Sequence, residues 1–246
     1  KIFHPVDYIN QTWQYKIGKS ADVIFSVADN ILEKFKTIDT PSFFINHGLS
    51  EAFYHEHGYE KSSSIRFAYI GNLMIVGLDR DRIKQIALNH PTVDFDFYGN
   101  YSTDKNDHFI TFLKNQPNTH LKGIKSTADL AKLLSGYSGF ILCYNPQNEV
   151  NSGSNSHKIL EYLSFGKVIV ANKVLHYQRH RDLIQMSERN DNSDFVQLFE
   201  NTIVNLEKLN SEDLIKRRRT LAFENTYLKQ IDRIEGFIAE NYTNFE

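Results

Sequence analysis

One cysteine in 246 residues, no surplus of either charge and no apolar run of bilayer length remove several classes of protein at once. Cys143 lies inside the apolar run FILCY, which suits a buried small residue in a reducing compartment and offers no disulfide framework. The formal charge is -2 and neither half is strongly basic, so a nucleic-acid-binding surface has little electrostatic support. No stretch approaches the roughly 20 apolar residues that cross a bilayer, and the opening KIFHPVDY does not form a signal peptide. These absences point to a cytoplasmic protein with no nucleic-acid partner.

Nucleotide-binding and metal motifs are missing too. No G-x-G-x-x-G follows a strand, which argues against a dinucleotide-dependent oxidoreductase, and no G-x-x-x-x-G-K-[ST] occurs, which argues against a P-loop nucleotidase. Asp94 and Asp96 alternate with Val93, Phe95 and Phe97, as the polar face or end of a strand would. His55 and His57 stand two apart without a partnering cluster. We expect neither a metal nor a cofactor.

What is present is a chain with 41% hydrophobic and 24% charged residues, enough for one large domain or one and a half ordinary ones. From about residue 65, β-rich runs at 67–70, 93–98, 120–121, 139–143 and 168–171 alternate with amphipathic segments at 81–89, 107–115, 127–135 and 158–165. Such alternation implies right-handed crossovers and a parallel sheet, a Rossmann-like α/β domain flanked by helices, with ligands bound beyond the carboxyl ends of the strands. A shorter βαβ pattern precedes it: a strand over 21–27, a helix over 30–36 and a strand over 42–45. It reads as a partial second α/β domain that ends near residue 50, followed by the polar stretch HEHGYEKSSS as a linker. The chain starts in what reads as the last part of a strand, so we expect the earlier part of that domain to lie outside it.

After residue 193 the pattern is helical, with Leu228, Ile231, Ile234 and Ile238 on one face, which should turn toward the body of the protein. The domains expected are therefore 1–50, 60–225 and a terminal helical segment 226–246 that packs back toward the first. The KRRR run at 216–219 reads as a solvated helix face; attraction to an anionic membrane surface is the other reading.

The most specific stretch is SNSHKILEYLSFGKVIVAN, residues 154–172. Ser154 or Ser156 can cap a helix whose N-terminal amides and dipole favour a phosphate. Lys158 and Glu161 share a face of that helix, where they could meet a nucleoside diphosphate and its ribose, or could equally form an ordinary surface ion pair. The string resembles the donor-site signature of GT-B glycosyltransferases: a polar loop, a lysine, a helix with Glu-Tyr-Leu, and a Gly-Lys leading into a buried strand. Elsewhere YIGNL at 69–73 resembles the first strand and glycine turn of their donor domain, HLKGIKSTADLAKLL at 120–134 resembles the turn that frames the nucleobase, and ADVIFSVADNILEKF with INHGLSEAF resembles the end of the acceptor domain and the crossover.

The resemblance implies a donor site made of Gly71, Asn72, Leu73, Ile124, Tyr144, Ser156, His157, Lys158 and Glu161, with Glu161 on the ribose and Ser156 and Lys158 on the diphosphate. It implies a nucleoside diphosphate sugar, UDP- or GDP-linked, as donor, a glycan or lipid-linked acceptor, and a setting in surface polysaccharide assembly, with peripheral contact at the cytoplasmic membrane. Where many family-4 members have a second glutamate eight residues before this one, the chain has Gly153, and Glu149 is out of register. That departure leans toward inverting relatives such as the xanthan-type glucuronosyltransferases, which place a base aspartate near the position of Asp7. Asp7 could instead cap a following helix, and His47 is either a cleft residue or a structural turn histidine. Arg80 and Arg82 could stand in for the basic residues of the glycine turn, or begin an exposed helix. Two rival functions are an epimerase of the same fold, which needs carboxylates and histidines from both domains, and a nucleotide-sugar-binding subunit without transfer activity.

Overall fold

The computed structural model describes residues 1–7, 12–54, 64–104, 106–145 and 155–242. The segment with His55 and His57, and the loop positions Glu149, Gly153 and Ser154, lie outside the described residues. Two parallel sheets organise the chain. The first has three strands in the order β1 (Ile2–Phe3), β2 (Val23–Ser26), β3 (Ser42–Phe44). The second has six, in the order β6 (Thr119–Gly123), β5 (Val93–Tyr98), β4 (Ile65–Ile70), β7 (Gly139–Leu142), β8 (Val168–Ala171), β9 (Gln185–Met186). The α/β reading therefore holds for both sheets.

Strand composition explains strand position. GFIL in β7 and VIVA in β8 are buried throughout, as strands covered by helices on both faces must be. Aromatic packing fills the layers around them. Phe140 stacks on Tyr162 at 4.7 Å with a 7° interplanar angle, and Phe67 meets Phe199 edge-on at 5.0 Å. Helix starts are set by local caps: Asp107 accepts from the amides of Phe109 and Ile110, and Ser126 from that of Asp129.

The strand order reverses between β4 and β7. The chain steps outward through β5 and β6, returns to β7 beside β4, and then continues to β8 and β9. The turns that follow β4 and β7 therefore diverge and leave a crevice at their carboxyl ends, where open α/β sheets bind ligands.

Several features depart from the sequence expectations. β9 has no forerunner in the sequence pattern, because its two residues carry no apolar run. The last helix, Tyr227–Asn241, lies against the first sheet through a face that keeps Ile234 of the expected one but is otherwise shifted. Phe237 lies 3.7 Å from Phe43 and 5.6 Å from Phe25, with Ile234 beside it, whereas Leu228 and Ile231 are exposed. Its buried stripe begins with a polar residue, Gln230, which displaces the apolar periodicity.

Arg218 also differs from the expected solvated run. It is fully buried, and its guanidinium donates to the carbonyls of Leu183 (2.7 Å), Gly166 (3.0 Å) and Leu209 (2.7 Å). Its neighbour Arg217 is half-exposed in an ion pair with Asp182. Asp96, expected on a polar strand face, is fully buried as well, where Arg66, Lys122 and the Tyr137 hydroxyl surround it. From β5 it thereby ties together β4, β6 and the segment that leads into β7.

The contrast between adjacent arginines is testable. Arg218→Ala strands three buried carbonyls and should lower unfolding free energy by about 3 kcal/mol. Arg217→Ala removes a surface pair and should cost less than about 1 kcal/mol. Urea denaturation of both variants reads the difference.

Candidate functional site

The floor of the crevice is built from glycine turns. Gly71 follows β4 and Gly99 follows β5, with φ of +158° and +137°. The Gly71 amide donates to Tyr98 O and the Gly99 amide to Gly123 O. A Cβ on Gly99 would stand 1.9 Å from Gly71 O, so no side chain is possible where these two turns touch. Arg80 closes the turn from behind by donating to Leu73 O at 3.0 Å.

A missing side chain at Gly71 also makes room for Lys158. A Cβ there would meet the Lys158 Cε at 3.1 Å and the Tyr69 hydroxyl at 2.6 Å. The Lys158 ammonium stands 5.9 Å above the Tyr144 ring, and the Tyr144 and Tyr69 hydroxyls are 3.3 Å apart. Two tyrosine rings thus form a buried platform at the end of β4 and β7, with one cation over it.

The helix His157–Ser164 carries that cation, and Tyr162 bolts the helix down. The Tyr162 hydroxyl accepts from the Ile70 amide at 2.9 Å and donates to Ile141 O at 3.4 Å, so it ties the helix to β4 and β7 together. Glu161, one turn after Lys158, is drawn into the same environment. Burial raises its carboxyl pKa to about 7, with Lys158 pulling the other way. Ser156 occupies the position before the helix and is buried, but its side chain makes no capping hydrogen bond, contrary to expectation.

The opposite wall comes from the first sheet. The His47 and His157 rings lie edge-on at 5.8 Å, one from each half of the chain. Burial pushes His47 down to about 4, helped by the nearby His4, His176 and Lys158. His157 keeps an exposed edge, yet the crowding of its ring, with Lys158 and His47 nearby, lowers it to about 4. Both imidazoles are therefore neutral at pH 7.

Asn155, just before the helix, locks the halves together. Its Nδ2 donates to Val27 O at 2.8 Å and to Asn46 Oδ1 at 2.9 Å. The Asn46 Nδ2 in turn donates to Asn225 Oδ1, which also accepts from Gln230 Nε2; Gln230 reaches back to His47 O. None of these amides was singled out from sequence.

Lys158, Glu161, His157, Gly71 and Tyr144 thus meet at one place. Ser156 adjoins them in the chain. Leu73 is fully buried beneath the glycine turn, while Asn72 is exposed and accepts from the Met74 amide. Ile124 is 73% exposed beyond β6, two strands from β4, and shares no described contact with Lys158. Asp7 sits in an exposed bend after β1, where its carbonyl accepts from Gln14 Nε2. No described contact joins its carboxylate to the Lys158 group. Among the described residues no group of three His, Cys, Asp or Glu could hold a metal ion, and no helix is long and apolar enough to cross a membrane.

No known family's sequence profile matches the chain, and no curated protein does. Solved structures do. HepE from Anabaena, crystallised with UDP and glucose, aligns at a TM-score of 0.71 and 14% identity over 99% of this chain and 71% of its own. A glycosyltransferase from Rickettsia africae aligns at 0.73 and 14%, over 98% and 71%. A mutant of TarM from S. aureus, crystallised with Fondaparinux, alpha-GlcNAc-glycerol and UDP, aligns at 0.60 and 15%, over 94% and 43%. The chain has the fold of the GT-B glycosyltransferases.

Proposed function

We propose that this chain binds a nucleoside diphosphate sugar and transfers its sugar to a glycan or lipid-linked acceptor. The observation that carries the proposal is the position of Lys158: its side chain lies against Gly71 at the strand-order reversal, three residues before the half-buried Glu161. A cation, a glycine turn and a helix N-terminus whose serine makes no cap suit a diphosphate. A carboxylate one turn further suits ribose hydroxyls, and Tyr144 with Ile124 would flank the base. UDP is the first candidate donor nucleotide, since HepE was crystallised with it, and GDP the second.

In this reading the enzyme needs neither metal nor cofactor, because Lys158 and the helix amides meet the charge that develops on the leaving diphosphate. Asp7, on the acceptor side, takes the proton from the acceptor hydroxyl as it attacks the anomeric carbon with inversion. The setting is surface polysaccharide assembly in the cytoplasm, with peripheral contact at the membrane. WaaG, whose structure aligns with this chain at a TM-score of 0.65 and 14% identity, is described as acting in lipopolysaccharide biosynthesis.

A second reading, epimerisation of the sugar nucleotide, gains from the His47–His157 pair, since such chemistry draws on histidines from both halves. Incubating the chain with nucleotide sugars in deuterium oxide separates the two. Release of nucleoside diphosphate with an acceptor, and no deuterium in the recovered sugar, supports transfer. Deuterium in the sugar and an epimeric product support the second reading. Asp7→Asn should leave donor binding intact and lower transfer at least tenfold; unchanged turnover removes Asp7 as the base.

A thermal-shift panel of nucleotides and nucleotide sugars tests the binding step, because a ligand at 100 times its Kd stabilises the folded chain by about 2.7 kcal/mol. Glu161 supplies a sharper test with opposite signs. Its folded pKa, about 7, lies above the ordinary value of 4.5, so the penalty for its charge appears as pH rises from 4.5 and is complete above 7. Glu161→Gln should therefore unfold at higher urea than the parent at pH 8, by up to about 3 kcal/mol, and match it at pH 4. The same substitution should weaken nucleotide binding by about 1 to 3 kcal/mol. A variant that is more stable with unchanged nucleotide affinity removes the ribose assignment.

A further inference from the structure

A second cavity, of about 320 Å³, whose lining includes neither Lys158 nor Gly71, lies between the Phe44–Asn46 segment, the Leu175–His180 turn after β8 and the last helix. Its size falls within the range of about 300–1,000 Å³ for small-molecule sites. One wall is the stacked pair of Phe44 and His176, with ring centroids 4.7 Å apart and planes tilted by 22°. Tyr177, His180, Gln230 and Arg233 supply polar atoms around it.

The hydrogen-bond network fixes which polar atoms remain for a ligand. The Asn46 side-chain oxygen accepts from the His47 amide, so its Nδ2 must be the donor to Asn225. The Asn225 Nδ2 donates to Leu221 O, so its oxygen must be the shared acceptor. Gln230 therefore uses Nε2 for Asn225 and His47 O, and its Oε1 is left buried with no hydrogen-bond partner among the described residues. That oxygen has almost no accessible surface, so the amide network is spent within the protein and the charged contact of the cavity is left to Arg233.

Arg233 reaches the cavity from the exposed side of the last helix. Its guanidinium donates to Asn225 Oδ1 at 3.4 Å and to Glu224 O at 2.9 Å, and among the described residues it forms no ion pair with a carboxylate. Asp29, the carboxylate that acts on His176, lines a separate cavity of about 80 Å³ behind the Phe44–His176 pair. An arginine at a cavity without a carboxylate partner suits an anion. Burial holds His176 down to about 4, so its imidazole is neutral and can exchange hydrogen bonds with hydroxyls rather than add charge.

We infer that this cavity binds a monosaccharide-sized ring bearing one carboxylate or phosphate, with the anion on Arg233 and the C–H face of the ring against the Phe44 and His176 wall. The site stands on its own residues and does not depend on the reading of the Lys158 crevice.

Calorimetric titration with glucuronate, glucose 6-phosphate, glucose and inorganic phosphate tests it on the parent chain, on Arg233→Gln and on Lys158→Gln. One of the two anionic sugars should bind saturably, glucose at least tenfold more weakly, and Arg233→Gln should weaken that binding tenfold or more while Lys158→Gln leaves it unchanged. Absence of saturable binding by both anionic sugars overturns the site. So does equal binding to Arg233→Gln, or loss in Lys158→Gln, which would move the ligand to the other crevice. Inorganic phosphate as tight as the sugar phosphate would remove the ring contribution. Hydrogen exchange on the unmutated chain with the bound ligand reads the location without a substitution. Protection at 42–46, 176–180 and 225–233 supports the site, and protection confined to 71 and 157–161 overturns it.

Discussion

The structure depends on how one short helix is seated at the strand-order reversal. The Tyr162 hydroxyl accepts a hydrogen bond from the Ile70 amide and donates one to Ile141 O, so the helix is joined to both strands that flank the crevice. That seating sends Lys158 over Gly71 and draws Glu161 out of water. Moving the helix by one residue would rotate these side chains by about 100° and empty the site. The burial of Glu161 is a cost in stability, and a group held at such a cost without a full partner is what functional sites contain.

The two sheets meet through neutral polar groups. Asn155, Asn46, Asn225 and Gln230 form a chain of amides from one half to the other, and the imidazoles beside it are uncharged at pH 7. A charged pair buried in the same place would face a desolvation penalty of several kcal/mol for each ion. Amides satisfy one another at less cost and, because each oxygen and nitrogen has a fixed role, they also fix the relative position of the halves. Asn46 is central, since its oxygen serves the helix that carries Lys158 while its nitrogen serves the turn before the last helix.

Much of this was legible in sequence where burial and period agree. β5 and β8 have the limits expected from 93–98 and 168–171, because apolar runs bounded by turn residues leave little choice. Lys158, Glu161 and Gly71 could be singled out because the strings around them resemble the donor-site signature of GT-B glycosyltransferases; the three-residue spacing alone fits an ordinary surface ion pair as well. The hidden parts are those where a polar residue does a core residue's work. Gln230 and Arg218 are buried on helices whose remaining polar residues face water, and Asp96 is buried in a strand that alternates in the ordinary way. Asn155 and Asn46 look like loop residues because their partners are more than 100 positions away. Long-range pairing of amides leaves no periodic trace.

The neutrality of the interface has an electrostatic consequence. Among the described residues neither Lys158 nor Arg233 forms an ion pair, and the histidines between them add no charge at pH 7. Lys158, half-buried, therefore keeps its field instead of spending it on a protein carboxylate, and Arg233, at the exposed rim of its cavity, is likewise left open to an anion from outside. A surface pair such as Arg217 with Asp182 offers no such opening, because its charge is already matched in the folded chain. The same reasoning explains why Glu161, close enough to Lys158 to be influenced by it, does not neutralise it: burial holds the carboxyl near the point of half-protonation. At pH 7 the crevice is left with a cation of nearly full strength and an acid that can still be drawn into ionised form by a ligand's hydroxyls.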